Sequence, residues 1–246
     1  MPTLSIIVPA YNEAPTVATI LDKLIEAPLS FSVRKEIVVI NDGSTDDTKS
    51  VLDGFVINFK NRKDAAALNC SLVVHHKEKN EGKGAAIHVG IKMLSGDFII
   101  VQDGDLELDP REIDSLLKPI MEGYADVVLG SRFAGGKVHR VMNSWHARGN
   151  KLMTSLANMF SSISVSDIHC CYKLFKADIL KGMNLQEKKF GFDPEVTVRL
   201  GKMKNIRIYE VPISYYARLR ADGKKIGWKD AVRTFWCIIK YNIFSN

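Results

Sequence analysis

Short, nearly continuous apolar runs alternate with polar segments along the first half of the chain. The runs lie at residues 4–8, 36–40, 72–74, 98–101 and 127–129. Runs of this length that lack polar alternation are typical of strands buried on both faces, as in a parallel sheet. They therefore predict five strands of one buried sheet.

Between these runs, apolar residues recur at helical spacing. After Pro15, which suits a first helical turn, apolar side chains recur on one face; they are Val17, Ile20, Leu21, Leu24 and Ile25. The polar residues 44–47 can cap a second helix, residues 85–94 predict a third, and Pro110 begins a fourth. Strands that alternate with helices predict an α/β fold: a single doubly wound, mostly parallel sheet with helices on both faces.

The regular alternation fades after about residue 131. Residues 144–162 and 194–202 follow amphipathic helical patterns, and residues 206–211 alternate like a strand. The tail from residue 228 mixes apolar and cationic residues, which is typical either of a core helix or of a helix lying on a membrane surface; we favour the membrane surface. No repeat or low-complexity linker divides the chain, so residues 1–246 are expected to form one domain.

Composition narrows the class of protein. The 246 residues are 46% hydrophobic and 25% charged, which is ordinary for a globular domain. The net charge of +6 and a pI near 9.0 favour anionic partners such as phosphorylated small molecules, anionic lipid or nucleic acid. No recognisable nucleic-acid motif is present, and nucleic acid is therefore not expected as a partner.

The cysteines and apolar stretches indicate the compartment. The four cysteines show neither CxxC pairs nor zinc spacing, and we expect reduced thiols in a cytoplasmic protein. The first residues do not resemble a signal peptide, and no apolar run approaches about 18 residues. The sequence therefore predicts a protein that is soluble or peripheral on the cytoplasmic face of a membrane.

Carboxylates follow the fourth apolar run. Asp103 and Asp105 flank Gly104 at the predicted strand end, Glu107 comes next, and Asp109 before Pro110 is best explained as a helix N-cap. Paired carboxylates suit a hard cation such as Mg²⁺ or Mn²⁺, which leaves positions open for phosphate oxygens. A solvated acidic loop is the alternative interpretation.

Two further polar segments fall at predicted strand ends, where α/β sheets bind ligands. Residues 41–44, Asn-Asp-Gly-Ser, are typical of a turn, and Asp42 could also accept hydrogen bonds from a nucleobase. Residues 82–84, Gly-Lys-Gly, precede a predicted helix, so backbone N–H groups and Lys83 could meet a phosphate. Each signal is modest alone.

Together, in order, these segments resemble the family 2 glycosyltransferases of the GT-A fold. The motifs that carry the resemblance are Val8-Pro9-Ala10-Tyr11-Asn12-Glu13, Asn41-Asp42-Gly43-Ser44, Asn80-Glu81-Gly82-Lys83-Gly84-Ala85-Ala86, Asp103-Gly104-Asp105-Leu106-Glu107 and Gly130-Ser131-Arg132-Phe133. Later stretches around residues 167–175, 192–195 and 210–216 resemble the branch of dolichyl-phosphate and polyprenyl-phosphate hexose synthases. The resemblance extends from residue 4 to about residue 228.

The resemblance implies a donor site for a nucleotide sugar of the GDP-mannose or UDP-glucose type. It assigns nucleoside contacts to Pro9, Tyr11, Glu13 and Asp42, and places Lys83 near the base or the phosphates. It implies that Asp103 and Asp105 hold Mg²⁺ or Mn²⁺ against the diphosphate, with Glu107 as a third ligand. Residues 1–130 would then be the nucleotide-sugar-binding half.

The resemblance also implies a lipid-phosphate acceptor bound by residues 131–227, followed by an amphipathic helix over 228–246. It assigns the acceptor phosphate to Arg132, which with Asp105 forms the catalytic pair, and to a cationic segment that holds Arg218, Arg220, Lys224 and Lys225. A solvated basic loop is the alternative for that segment. The chain departs from the family at Asn41, where Asp is usual, and we expect none of the membrane helices that many members carry.

The expected activity is inverting, metal-dependent transfer of mannose or glucose from a nucleotide sugar to a polyprenyl or dolichyl phosphate at a membrane surface. Whether an integral membrane subunit accompanies the chain is open. One rival is a family 2 enzyme acting on a hydroxyl, for which Asp193 and Glu195 are the first candidates as base. The other is a nucleotide-sugar-binding membrane protein without catalysis.

Overall fold

One mixed sheet forms the centre of the computed structural model, which describes residues 1–62, 69–138, 140–141, 144–218 and 228–243. Its strands within that part of the chain are β1 (Thr3–Ala10), β2 (Arg34–Asn41), β3 (Cys70–His76), β4 (Phe98–Val101), β5 (Val127–Ser131), β6 (Lys173–Lys176) and β7 (Ile208–Pro212). The spatial order is β3-β2-β1-β4-β6-β5-β7. All neighbours pair in parallel except β6, which is antiparallel to both β4 and β5.

Helices connect these strands. They are α1 (Val17–Glu26), α2 (Thr48–Lys60), α3 (Lys83–Met93), α4 (Ile113–Met121), α5 (Ser144–Phe160), α6 (Ala177–Gly182), α7 (Phe192–Lys202) and α8 (Trp228–Ile243). A 3₁₀ turn at Pro110–Glu112 precedes α4, and the side chain of Asp109 caps it by accepting from the amide of Arg111. The predicted fold class, a mostly parallel α/β sheet with helices on both faces, is confirmed.

The antiparallel strand β6 and the short helix α6 are absent from the sequence prediction. Residues 173–176, Lys-Leu-Phe-Lys, are too short and too polar to stand out as a buried strand. Leu174 and Phe175 nevertheless pair with Ile99 and Ile100 of β4 and with β5, completing the sheet between its two halves. Tertiary pairing, rather than local pattern, therefore fixes this strand.

The core lies around the central strands. Ile6 and Ile7 of β1, Ile37 and Val39 of β2, and Ile100 of β4 are fully buried, and the apolar stripe of α1 packs against them. Burying one such side chain stabilises the fold by about 1.5–3 kcal/mol. The rigid centre therefore holds the ends of β1, β2 and β4 in fixed relative positions.

A second apolar cluster joins α5, α7 and α8. Its members are Ala157, Ile168, Val198, Cys237, Ile238 and Tyr241. The other face of α8 leaves Val232, Phe235, Trp236 and Ile243 exposed, so this helix is a core helix that also carries an apolar outer face. Among the described helices, none has the length and apolar character that a membrane crossing requires.

The loop before α7 contacts the start of α3 without any gap. The carbonyl oxygen of Lys188 accepts from the amide of Ala85 at 2.9 Å. A Cβ atom on Gly84 would lie 2.1 Å from the carbonyl oxygen of Glu187, so only glycine fits there. The carboxylate of Glu187 accepts in turn from Arg233 and Tyr241 of α8.

Candidate functional site

The carboxyl ends of β1, β2 and β4 meet at one edge of the sheet, the edge at which α/β sheets bind ligands. Asn12, the second residue after β1, ties this end to the segment after β2. Its amide donates to Ser44 Oγ at 3.0 Å, and its Oδ1 accepts from the amide of Thr45 at 2.9 Å. The amide of Glu13 donates to Thr48 Oγ1. These contacts hold the segments after β1 and β2 together.

Asp105 lies at the centre of this edge and is nearly buried. Its Oδ1 accepts from the amide of Glu107 at 3.0 Å, and its Oδ2 accepts from Arg218 at 2.8 Å. Burial, together with the carboxylates of Asp103 and Glu107, raises the pKa of Asp105 to about 7, although the Arg218 guanidinium acts in the opposite direction. The site thus holds more negative charge than its own cations compensate.

Arg218 reaches this edge from beyond β7 and contacts several carboxylates. Its guanidinium donates to both carboxylate oxygens of Glu13, at 3.0 and 3.3 Å, as well as to Asp105. Its backbone amide donates to Glu107 Oε1 at 2.7 Å, and the hydroxyl of Tyr215 donates to Glu107 Oε2 at 2.8 Å. The segment before residue 219 is therefore fixed against the donor-side carboxylates.

A second charged chain links Asp103 to the core. Lys83, the first residue of α3, places its Nζ 2.7 Å from Asp103 and 3.7 Å from Asp193. Asp193 also accepts from the buried Lys173 of β6 at 2.9 Å. Burial alone would lower the pKa of Lys83, but the carboxylates of Asp103 and Asp193 hold it well above its ordinary value, so Lys83 stays charged.

Asp42, predicted as a nucleoside ligand, holds the loop that leads into α3. Its carboxylate accepts from Lys77 and from the amides of Glu81 and Gly82, the latter at 2.7 Å. Asp42 therefore positions the residues just before Lys83. A direct contact with the nucleoside stays a prediction, as do the roles of the buried Pro9 and of Tyr11 directly after β1.

Asn41, the departure from the family pattern, has a contact of its own. Its Oδ1 accepts from the hydroxyl of Ser44 at 2.6 Å, and its Nδ2 lies 3.0 Å from His76 Nδ1. An amide can serve both neighbours because it carries an acceptor and a donor, whereas an ionised carboxylate only accepts. Asparagine at position 41 can therefore donate to His76 on β3, which an ionised aspartate could not do.

The donor set fits a divalent cation of the Mg²⁺ type. Within the described residues, no three His, Cys, Asp or Glu side chains are grouped as a complete metal cluster. Mg²⁺ usually takes one or two carboxylates and completes its shell with water and substrate phosphates, a demand that Asp103 and Asp105 can meet. Because the Glu107 carboxylate is engaged by Tyr215 and Arg218, its role as a third ligand stays a prediction.

Arg132 lies directly after β5 and is held rigidly. Its Nε and one terminal nitrogen donate to the two oxygens of Asp167 at 2.6 and 2.8 Å, and its guanidinium carbon lies 4.9 Å from the ring centre of Tyr215. Burial opposes ionisation of Asp167, but the guanidinium outweighs it and keeps the pKa of Asp167 low. A cation with this fixed orientation is suited to orient a phosphate.

The remaining predicted acceptor residues divide into two groups. Arg218 lies on the donor-side carboxylates of Glu13 and Asp105. Arg220, Lys224 and Lys225 lie outside the described residues. Their assignment to the acceptor phosphate stays a prediction.

Both candidate bases for a hydroxyl acceptor are buried and engaged. Glu195 is fully buried and accepts from the amides of Gln186 and Glu187 and from Arg199. Asp193 lies between Lys83 and Lys173, and although burial opposes ionisation, these two cations lower its pKa. Donors of the protein itself thus engage both carboxylates, whereas a general base must reach the proton that it abstracts.

Several residues of this edge escaped prediction from the sequence. Asp167 and Lys173 belong to the stretch that carried the family resemblance, yet nothing in the local pattern indicates that one holds Arg132 and the other Asp193. Lys77 and Tyr215 also contact the site through Asp42 and Glu107. These partners lie 20 to 108 residues apart, so only the fold brings them together.

Comparison with known families gives one extended match. Residues 5–183 match the profile of glycosyl transferase family 2. This segment contains most of β1, all of β2 to β6 and every donor-side residue described above except Asp193, Tyr215 and Arg218.

Curated relatives match most of the chain. Dodecaprenyl-phosphate galacturonate synthase of Rhizobium johnstonii is 28% identical over 87% of the chain and 59% of its own length. Undecaprenyl-phosphate 4-deoxy-4-formamido-L-arabinose transferase of Edwardsiella ictaluri is 27% identical over 90% and 62%, and dolichyl-phosphate beta-glucosyltransferase ALG5A of Trichomonas vaginalis is 28% identical over 98% and 73%. The chain thus spans only about three fifths of the first two relatives.

Solved structures share the fold. Glucosyl-3-phosphoglycerate synthase of Mycobacterium tuberculosis, in complex with Mn²⁺, UDP and glucosyl-3-phosphoglycerate, superposes with a TM-score of 0.67 at 18% identity, over 98% of this chain and 80% of that one. The same protein in complex with Mg²⁺ and UDP gives a TM-score of 0.66 at 18% identity, over 98% and 79%. At this identity the likeness establishes the fold alone.

Proposed function

The chain belongs to glycosyl transferase family 2, and from this premise we propose that it transfers a hexose from a nucleotide sugar to a polyprenyl or dolichyl phosphate. The transfer inverts the anomeric centre and depends on Mg²⁺ or Mn²⁺. The observation that carries the proposal is the partly buried group that Asp103 and Asp105, after β4, form with Lys83 at the start of α3. The curated relatives support the acceptor class, because their names specify dodecaprenyl, undecaprenyl and dolichyl phosphates.

On the donor side, Asp103 and Asp105 would hold the divalent cation, with Glu107 as a further candidate ligand. When bound, this cation neutralises charge on the diphosphate leaving group, which is often the largest contribution to catalysis. Lys83 adds a positive charge that Asp103 and Asp193 keep in place. Pro9, Tyr11, Glu13 and Asp42 would contact the nucleoside.

On the acceptor side, the fixed guanidinium of Arg132 would orient the lipid phosphate, with Arg218, Arg220, Lys224 and Lys225 completing the binding set. A phosphate monoester has a second pKa near 6, so its oxygen is already a nucleophile at neutral pH and needs positioning more than a base. The engagement of Asp193 and Glu195 supports this acceptor over a hydroxyl. In this division, residues 1–130 bind the donor and residues 131–227 the acceptor.

The test is donor turnover with and without a polyprenyl phosphate. The protein is incubated with Mg²⁺ or Mn²⁺ and labelled GDP-mannose, UDP-glucose and related donors, and the products are extracted into organic solvent. We expect label in the organic phase for one donor and a loss of at least about 100-fold in Asp105→Asn. Asp109→Asn, which alters the cap of the 3₁₀ turn and not the carboxylates proposed to hold the cation, is the matched control and should retain transfer.

Other outcomes would contradict the proposal in distinguishable ways. Label released only into water, with dependence on Asp193 or Glu195, would point to a hydroxyl acceptor. Failure to turn over any donor would favour a nucleotide-sugar-binding protein without catalysis. Full activity in Asp105→Asn would contradict the assignment of the donor site itself.

A further inference from the structure

The side chain of Arg218 lies where the donor site is most negative. It donates to Asp105 Oδ2 at 2.8 Å and to both oxygens of Glu13, and its Nε is 4.0 Å from Glu107 Oε1. These partners lie 205, 113 and 111 residues away in sequence, so the contact joins distant parts of the chain. A single guanidinium thus lies among three carboxylates and offsets only part of their charge.

The contact occupies part of the coordinating capacity of Asp105. Its Oδ1 already accepts from the amide of Glu107 and its Oδ2 from Arg218, so each oxygen has a hydrogen-bond donor. A divalent cation on Asp105 would lie beside the guanidinium, and two positive charges a few ångströms apart in a partly buried site repel each other strongly. The cation and the Arg218–Asp105 ion pair therefore compete for the same carboxylate.

The contacts of Arg218 also show that its side chain, and not its main chain, is the part that can leave Asp105. Its main chain is anchored, because its amide donates to Glu107 Oε1 and the amide of Tyr216 donates to the carbonyl oxygen of Glu107. The side chain is less completely satisfied, because Nε is buried and has no hydrogen-bond partner. A buried polar atom without a partner costs free energy, so the bound position of the side chain is not its best possible environment.

We propose that Arg218 is a resident counter-ion of the donor site, which stabilises Asp105 and Glu13 until a divalent cation displaces its guanidinium. The inference rests on the proposed function, since that function supplies the cation. In this inference, Arg218 acts before the acceptor binds. Its guanidinium can contact the acceptor phosphate only after the cation has bound Asp105. Cation binding and release of this side chain are then one event.

Direct measurement of Mn²⁺ binding tests the proposal without activity. The electron paramagnetic resonance signal of free Mn²⁺ is titrated with the wild-type protein, Arg218→Ala and Arg218→Lys, each with and without UDP or GDP. We expect Arg218→Ala to bind Mn²⁺ at least about tenfold more tightly than the wild type in the absence of nucleotide, with Arg218→Lys in between. Asp105→Asn should bind weakly in every background.

Arg111→Ala is the matched control. Arg111 pairs with Asp109 on the same acidic segment but is exposed, so its removal changes the net charge equally without touching Asp105. We expect less than a twofold change in Mn²⁺ affinity for this variant because exposed charges are screened. The difference in Mn²⁺ affinity between the two variants therefore separates the effect of the Arg218–Asp105 ion pair from the effect of net charge.

Thermal unfolding gives the second measurement. In EDTA, Arg218→Ala should melt below the wild type because its carboxylates repel without a counter-ion, and added Mn²⁺ should raise its melting temperature more than that of the wild type. If the wild type and the Arg218 variants bind Mn²⁺ equally, Arg218 only stabilises the structure. That result would contradict this inference and leave the proposed function intact. If no variant binds Mn²⁺ even with nucleotide, the proposed metal dependence fails as well.

Discussion

At the scale of single residues, Asp193 shows how the charged site is built into the protein interior. It is buried between Lys83 and Lys173, at 3.7 and 2.9 Å, and so connects the donor-side lysine to β6. Buried charges are tolerated when paired, but removal of one partner leaves the others uncompensated. The arrangement makes this carboxylate a stability determinant as well as a part of the site.

Asp193→Asn is therefore expected to lower the free energy of unfolding by about 3 kcal/mol at pH 7, because two buried lysines lose their shared partner. Urea denaturation measures this. Because the pKa of Asp193 is lowered in the folded state, its contribution is complete above the ordinary carboxyl pKa and is lost as the pH falls below it. Asp178→Asn, at an exposed position of α6, is the control. Equal stabilities of the two variants would contradict the ion-pair account.

The candidate site was predictable as a set of residues but not as a set of contacts. Asp103, Asp105 and Lys83 stood out because they follow a buried strand or begin a helix, and the fold brings them together. The position of Arg218 on Asp105 could not be predicted, because a cation in a basic segment carries no local signal for a partner 113 residues away.

At the scale of elements, one carboxylate joins three strands. Asp126, directly before β5, accepts from Lys176 of β6 at 2.6 Å and from the amide and guanidinium of Arg207, directly before β7. The antiparallel β6 and the outer β7 are thereby fixed to β5 at one end. This contact also explains how a strand of only four residues keeps its place.

Asp126→Asn should lower the free energy of unfolding by about 1 kcal/mol at pH 7, a modest value because Arg207 is half exposed. The hydrogen bonds from Arg207 hold the pKa of Asp126 well below its usual range, so its contribution is lost as the pH falls below the ordinary carboxyl value. Unfolding curves at pH 7 and pH 3 should therefore differ for the wild type more than for the variant. Glu122→Gln, a nearby exposed acid, should show neither effect.

The hydrophobic pattern of the sequence predicted some strands better than others. β1, β2 and β4 were predictable because their residues are apolar on both faces, and their bounds shifted only by a few residues. β6 was not, since two of its four residues are lysines and one of these, Lys173, is buried because Asp193 and two carbonyl groups surround it. From the sequence alone, a lysine is predicted to be exposed, and only its partners in the fold explain its burial.

At the scale of the whole molecule, two neighbouring helices present apolar side chains outward. On α5, Trp145, Leu152 and Met159 recur every seven residues and so lie on one side, and on α8 the exposed residues include Phe235 and Trp236. Apolar faces that carry aromatic residues near Lys and Arg are typical of helices that lie on anionic bilayers. We propose that this surface rests on the membrane that holds the lipid acceptor.

The combined variant Leu152→Ser and Trp236→Ser should bind vesicles containing anionic lipid at least about fivefold more weakly than the wild type, because two apolar contacts with the bilayer are lost. Co-sedimentation measures this, and salt should weaken the remaining electrostatic attraction. Ile57→Ser, which removes an apolar side chain of similar exposure from α2, should bind like the wild type. Equal binding of all three proteins would exclude this surface.

The close contact at Gly84 links two distant parts of the molecule. Glu187 is bonded through its carboxylate to α8 and through its carbonyl oxygen lies against Gly84, whose neighbour Lys83 faces Asp103. The start of α3 is thus packed against a residue whose side chain α8 holds, so one short segment joins the two helices. Under the proposed function, which takes one substrate from water and the other from lipid, this contact would connect the helix that carries the outer apolar face with the lysine beside Asp103.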